Sequence, residues 1–356
     1  MRGMTLRLLP LFCFVACTAA KDAPRPDADA DADGDTDADA DGDSDADTDT
    51  DVTPGTYFPG EAPWYTDVRG AAVDPTSPEV IGWLDGEGWG NGRFQVDFSL
   101  EVLDGGKDTP FIEFQTTGDF YSPDCDHIPM PVPEGGQLEG ESGYVCASDG
   151  DCHLVVAHWP TNRLYEMWRA NYNGTTFRGG CLAVWDMTLL YPPEGRGDQC
   201  TSADAAGYPI APLLPTADEV VAGEVAHALR FILPNERIRD GVFVHPASHS
   251  TGSASGPESA PPYGAHLRLR ADYPLDTLPN DAARVIAVAL QTYGMFLADG
   301  GNVALTFQAD TETTAKWDGL LGSHDLEDIQ PGDFELLEMP DPIDLTYDCR
   351  RTPLTE

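Results

Sequence analysis

The sequence predicts an α+β domain, mostly antiparallel β and sandwich-like, with two packed helices and disulfide staples. Three observations predict it. Phe94, Val96, Phe98, Leu100 and Val102 alternate with Gln95, Asp97, Ser99 and Glu101, the period-two pattern of a strand with one buried face. Two later segments, opening at Thr216 and Asn280, pair a helix-start residue with apolar residues spaced for one helical face. Cys125, Cys146, Cys152, Cys181, Cys200 and Cys349 form an even set that suits disulfides in an oxidising compartment.

The chain starts with Arg2 and Arg7 and then the apolar stretch Leu8 to Ala16, too short to cross a bilayer as a helix. Residues 1–16 therefore read as a secretory signal peptide. Phe14-Val15-Ala16-Cys17 resembles a bacterial lipobox, which makes Cys17 the expected lipidation site. Ordinary signal cleavage near Ala19-Ala20 is the alternative. Thr18, standing where Asp would retain a lipoprotein at the inner membrane, directs the expectation to the outer membrane, at its periplasmic face or the cell surface. Residues 17–55 then read as a lipidated cysteine followed by a disordered tether. Every odd-numbered residue from Asp27 to Asp51 is Asp, separated by Ala, Gly, Thr or Ser. Such a segment repels itself and has nothing to bury, so it should be extended. Asp29-x-Asp31-x-Asp33-Gly34 resembles the opening of a calcium loop, but Ala40 stands where the closing carboxylate belongs. Weak association of divalent ions with this tether is the one cofactor-like behaviour expected.

The formal charge of the chain is −41, from 61 acidic and 20 basic residues. Phosphate recognition needs clustered Lys and Arg, so nucleic acid is excluded as a partner. From residue 56 onward, 16 basic against 47 acidic side chains leave −31, so the body is acidic in its own right. With 41% hydrophobic residues, 14 Phe, 7 Trp and 12 Tyr, it can still bury a sizeable core.

Residues 56–356 are expected to form a single β-rich globular domain, with room for two lobes. Trp83 to Gly92, rich in Gly and Trp, reads as a loop. Phe111 to Phe114, Cys152 to Ala157 and Cys181 to Leu190 are strand candidates between Gly, Pro and Asp turns. Cys146 and Cys152 would close a small loop, and Cys349 would tie the tail to the body. Thr216-Ala-Asp-Glu219 has the spacing of a capping box, and Val221, Val225, Ala228, Leu229 and Ile232 then share one helical face. Asn280 caps a second helix expected to reach about Ala298, burying Ile286, Ala289, Leu290, Tyr293 and Leu297, with Gly300 stopping it. Between the helices, His245 to Pro262 is a Pro/Ser/Gly-rich loop of a length that often carries function.

Several catalytic signatures are missing: GxSxG, SxxK, HExxH, a phosphate-binding P-loop and GxGxxG. Lysine occurs only at 21, 107 and 316, so a Schiff-base reaction has almost no candidates. The polar residues in apolar settings become the catalytic candidates: His153, Glu166, Asp204, His227 and His249. Glu166 lies in Leu164-Tyr165-Glu166-Met167-Trp168, where a raised pKa would suit a general acid. Asp204 sits among small residues that would let a ligand approach. His227 follows Glu224 by three and falls at the flank of the first helix's apolar face. His245 and His249 are four apart, but Pro246 argues against a helical metal site, and no metal centre is expected. Asp299, Arg268 and Trp185 complete the set as candidate substrate-binding residues.

These residues fall in segments that resemble a family of uncharacterised secreted bacterial proteins. The likeness runs from about Pro129 to Glu335, through Asp151-Cys-His153, Leu164-Tyr-Glu166, Thr201-Ser-Ala-Asp-Ala-Ala-Gly-Tyr-Pro-Ile210, Asp218-Glu-Val, His227-Ala-Leu-Arg-Phe231, Pro246-Ala-Ser-His249, Tyr293-Gly-Met295 and Phe334-Glu335. Ala298-Asp299-Gly300-Gly301 stands where that family favours Ala-Asp-Asn-Gly, and Gly264-Ala265-His266 where it favours Gly-x-Arg. The resemblance implies no established activity. Function is therefore expected from the body's chemistry: a surface-anchored, non-catalytic module binding glycan or a protein partner. The alternative is a carbohydrate-active enzyme, a glycoside hydrolase or polysaccharide lyase, using carboxylate and histidine acid–base chemistry.

Overall fold

The computed structural model describes residues 56–355 other than Asp149, so the expected signal peptide, Cys17 and the Asp27 to Asp51 tether lie outside the described residues. Ten strands build two main sheets. They are β1 (Val96–Leu100), β2 (Val102–Gly105), β3 (Leu154–His158), β4 (Arg163–Trp168), β5 (Cys181–Asp186), β6 (Leu229–Leu233), β7 (His266–Leu269), β8 (Met295–Gly300), β9 (Leu305–Gln308) and β10 (Phe334–Leu336). The six-stranded sheet runs β1-β9-β6-β8-β7-β10 and the four-stranded sheet β5-β4-β3-β2. Parallel pairs join β1 to β9, β6 to β8 and β2 to β3; the other pairs in these sheets are antiparallel. Among the described residues no helix is long and apolar enough to cross a membrane.

The four-stranded sheet is covered on both sides, which explains its sequence. In β3, Leu154 and Val156 point into a small core with Leu103, Met167 and Leu182, while Val155 and Ala157 join the large core. A strand buried on both faces reads as a continuous apolar run. The six-stranded sheet obeys the other rule. Leu229, Phe231 and Leu233 of β6 enter the large core, and the intervening Arg230 and Ile232 line a cleft on the opposite face.

Three helices pack with these sheets, one more than expected. Helix α1 (Ser77–Glu87) takes in Trp83 to Glu87 of the stretch expected to be loop, while Gly88 to Gly92 lies outside any helix or strand. Pro78 sits in its first turn, and Val80, Ile81 and Leu84 bury one side. The glycines at 82 and 86 disguise it. The expected Thr216–Glu219 capping box is present at the start of α2 (Ala217–Ala222), with both reciprocal hydrogen bonds made. That helix is six residues long, not the longer one expected. It stops at Gly223, whose φ of 89° is the left-handed conformation a glycine cap adopts readily. Of the apolar residues expected to continue it, Val225 and Ala228 fall in the connection and Leu229 and Ile232 in β6, where Leu229, Phe231 and Leu233 alternate with a period of two. Helix α3 (Asp281–Thr292) starts as expected, with the Asn280 side chain accepting from Ala283 N, and buries Ile286, Ala289 and Leu290. It ends well before Ala298, because Met295 onward is β8, paired with β6. Leu297 is buried, but in that strand.

Disulfides join Cys125 to Cys181, Cys146 to Cys152 and Cys200 to Cys349. The second closes the small loop expected, and the third fastens the C-terminal segment across 149 residues of sequence.

One irregularity shapes the polar face of the large sheet. Phe231 pairs with Leu297, but the next residue, Ile232, pairs with Asp299, so Ala298 is an extra residue in β8. In a regular ladder Ala298 would face Ile232 and Asp299 would fall on the core side with Leu297. The bulge turns Asp299 to the side of Arg230 and Ile232.

Candidate functional site

Two clefts meet at Asp299. The larger, about 680 Å³, has Phe120, Tyr121, Trp168 and Tyr347 among its walls, with Asp124, Asp151 and His249 between them. The smaller, about 280 Å³, is floored by Arg230, Ile232 and Thr306 of the large sheet. Asp151, Asp299 and Gly300 line both.

The loop Thr201–Gly207 carries Asp204 to this junction. Ser202 Oγ accepts from Asp204 N and donates to the Tyr208 carbonyl, a local turn that fixes the carboxylate's origin. Gly207 has φ 81°, and a Cβ there would come within 2.1 Å of Ser248 Oγ, so this close approach requires glycine. The same loop stitches two other segments together. Ala206 N donates to the carbonyl of the bulge residue Ala298 at 2.8 Å, and the Ala206 carbonyl accepts from Ser248 N and His249 N. Asp204, Asp299 and His249 are thus referenced to one dipeptide, Ala205-Ala206.

Arg230 binds the carboxyl pair from below. Its guanidinium donates to Asp204 Oδ1 at 2.7 Å and Thr306 Oγ1 at 2.7 Å, and lies 3.5 Å from Asp299 Oδ2. Asp299 Oδ1 accepts from Gly300 N at 2.7 Å, and Asp204 Oδ2 is buried without a hydrogen-bond partner among the described residues. Both carboxyls converge on one guanidinium, so the charge of each works against ionisation of the other. Burial raises the Asp204 pKa, against the pull of Arg230. Burial followed by the charge of Asp204 raises Asp299 to about 7. Asp204 is fully buried, whereas the Asp299 side chain keeps 28% of its surface exposed, so Asp299 is the member that meets solvent and ligand.

The histidines have distinct situations. Both ring nitrogens of His153 are engaged, Nδ1 with Glu139 Oε2 at 2.6 Å and Nε2 with the Ala203 carbonyl at 3.0 Å. Burial works against its charge, but Glu139 outweighs it and raises the pKa to about 9, so His153 is an imidazolium that braces the Asp204 loop. His249 uses Nδ1 to reach the Ala205 carbonyl at 2.9 Å, and burial lowers its pKa. His227 stands apart. It follows α2 and does not lie on that helix's flank, with Nε2 3.3 Å from Oε1 of the capping-box residue Glu219.

The remaining candidates are structural in their contacts. Glu166 is wholly buried, Oε1 accepting from Ile210 N and Ala211 N and Oε2 from Trp185 Nε1. Burial raises its pKa to about 7, in the direction expected, but no surface of it reaches either cleft. Trp185 is 1% exposed and lines neither. Arg268 is bound to the Val68 and Ala71 carbonyls and to Glu335 at 2.7 Å, away from both clefts. The structure thus brings together His153, Asp204, His249 and Asp299, and leaves Glu166, His227, Arg268 and Trp185 outside.

Arg230 and Glu139 are absent from the sequence-derived set. A lone Arg between Leu229 and Phe231 is the signal that could have found the first. Tyr347 has φ 60° and is held there by Gln199 Oε1, which accepts from Thr346 N and Tyr347 N, two residues from the Cys200–Cys349 bridge. No family model, curated protein or solved structure matches the chain.

Proposed function

We propose that the protein is an exported, lipid-anchored surface domain that binds glycan in the larger cleft. The observation that carries this reading is the make-up of that cleft, where Phe120, Tyr121, Trp168 and Tyr347 stand with Asp124, Asp151 and Asp299. Ring faces stack on the C–H faces of sugars, and carboxylates accept from their hydroxyls; a cleft of about 680 Å³ suits one or two sugar rings. Tyr121 and Tyr347 keep 52% and 60% of their surface exposed, which leaves their rings open to a ligand. The body's acidity disfavours uronate polymers and favours neutral or amine-bearing chains. Three disulfides fit an extracytoplasmic setting. Lipidation at Cys17 and the Asp-rich tether would hold the domain away from the outer membrane.

Glu166 and Asp204, the two carboxyls nominated for catalysis from the sequence, are both wholly buried and offer a sugar no surface. A binding module needs neither. Glycan-array binding by the full chain tests the proposal. Replacing Tyr121 or Tyr347 by Ala should weaken binding about tenfold, or about 1.4 kcal/mol. Binding unchanged in both variants would remove the cleft as the glycan site.

A further inference from the structure

Resting on the glycan reading of the cleft, we propose that the bound saccharide is also hydrolysed there, with Asp299 as general acid and His249 as general base. Both line the same cleft, and both are fixed by the Ala205-Ala206 backbone on one side. His249 Nδ1 faces a carbonyl, so the neutral ring carries its hydrogen there and keeps the Nε2 lone pair. Among the described residues Nε2 has no hydrogen-bond partner, and the Tyr347 ring packs against the imidazole with centroids 6.0 Å apart. A base held in one tautomer with its lone pair unengaged is ready to take a proton from water.

The acid is built by the bulge and the pair. Asp299 reaches the cleft only because Ala298 is inserted in β8, and burial with the nearby Asp204 charge favours its protonated form. When Asp299 gives that proton away, the resulting charge is met by Arg230, 3.5 Å from Oδ2, and by Gly300 N, 2.7 Å from Oδ1. Stabilisation of the conjugate base by groups already in place is what a general acid needs.

The step balances. Water forms a C–O bond to the anomeric carbon as the bond to the leaving oxygen breaks. His249 Nε2 takes the water proton, and Asp299 transfers its proton to the leaving oxygen, giving a reducing sugar and an alcohol. Proton exchange with solvent restores both groups. The other charged groups around Asp299 are Asp204, Arg230, the His153 imidazolium and Asp151; around His249 they are Asp124 and the Tyr347 phenol. Burial lowers the His249 pKa below its ordinary 6.5, while Asp299 stands at about 7. A neutral base and a protonated acid therefore coexist in a window just below pH 7.

The test incubates the full chain with soluble mannan, xylan and chitosan from pH 4 to 9 and measures bound polysaccharide and new reducing ends separately. The expected result is bell-shaped release, maximal near pH 6 to 7. It should fall about a hundredfold or more in His249→Gln and in Asp299→Asn, measured relative to the polysaccharide each variant binds. Thermal unfolding of each variant confirms that it is folded. Polysaccharide bound but recovered intact overturns the hydrolysis and leaves the glycan reading standing. Polysaccharide neither bound nor cut overturns both. Cleavage that survives both substitutions overturns the assignment of acid and base.

Discussion

Replacing Asp299 by Asn should make the domain more stable, and increasingly so as the pH rises from 4 to 7. In the unfolded chain this carboxyl has the ordinary value of 3.8; in the folded protein burial and Asp204 raise it to about 7. The folded state therefore holds a proton that the unfolded state releases, so stability is greatest below the unfolded value. It is lost progressively until the pH passes the folded one. Taken at face value the difference amounts to about 4 kcal/mol. The side chain is 28% exposed, and screening by that water reduces the figure to about 2 kcal/mol. Asn keeps the size without the charge. For a body of this length, 2 kcal/mol corresponds to roughly 3 °C in Tm. The assay is thermal unfolding of both proteins by circular dichroism, with disulfides intact, at intervals from pH 4 to 9. The difference in Tm, variant minus natural protein, should climb by about 3 °C between pH 4 and 7 and then level off. A difference that stays flat or falls over this range would refute the raised pKa of the Asp299 carboxyl.

Glu166→Gln should lose about 2 kcal/mol in urea unfolding at pH 7, because with its oxygen on Ile210 N and Ala211 N its amide NH2 would face the Trp185 Nε1 donor. Glycan affinity of the folded variant should be unchanged; an affinity loss exceeding the stability loss would return Glu166 to the site. Replacing Cys200 and Cys349 together by Ser should cost about 2–5 kcal/mol. It should also weaken glycan binding, since the bridge anchors the segment that presents Tyr347. Full stability in the double variant, or a peptide map with different pairings, would contradict the fold described here.

What is legible in the sequence is local. The Thr216–Glu219 box and the Asn280 cap are contained within four residues, so their side-chain hydrogen bonds can be read directly. Helix ends were less legible, because Leu229 and Ile232 suit a helical face while Leu229, Phe231 and Leu233 suit a strand, and only pairing with β8 decides between them. Helix α1 was hidden by Gly82 and Gly86, at which a Cβ would meet nothing, so these glycines carry no packing reason that a reader could recognise. In the site, Asp204, Asp299 and His249 were accessible as polar residues in small or apolar company. Arg230 was not, because a single Arg in an apolar run reads as the edge of a pattern until its carboxylate partners are known. Glu166 shows the converse. Its apolar neighbours correctly announced burial, and burial was complete enough to withdraw it from solvent.

The extra residue at Ala298 has a consequence for how this site can change. A carboxylate's presence in the cleft is set by the parity of a count along one strand, and parity responds to length rather than to chemistry. Losing one residue between Leu297 and Asp299 would leave every functional side chain in the sequence, yet aim one of them at Phe231 and Leu233. Gaining one would do the same from the other direction. A survey of single-codon deletions would find this position sensitive even though no functional side chain is removed.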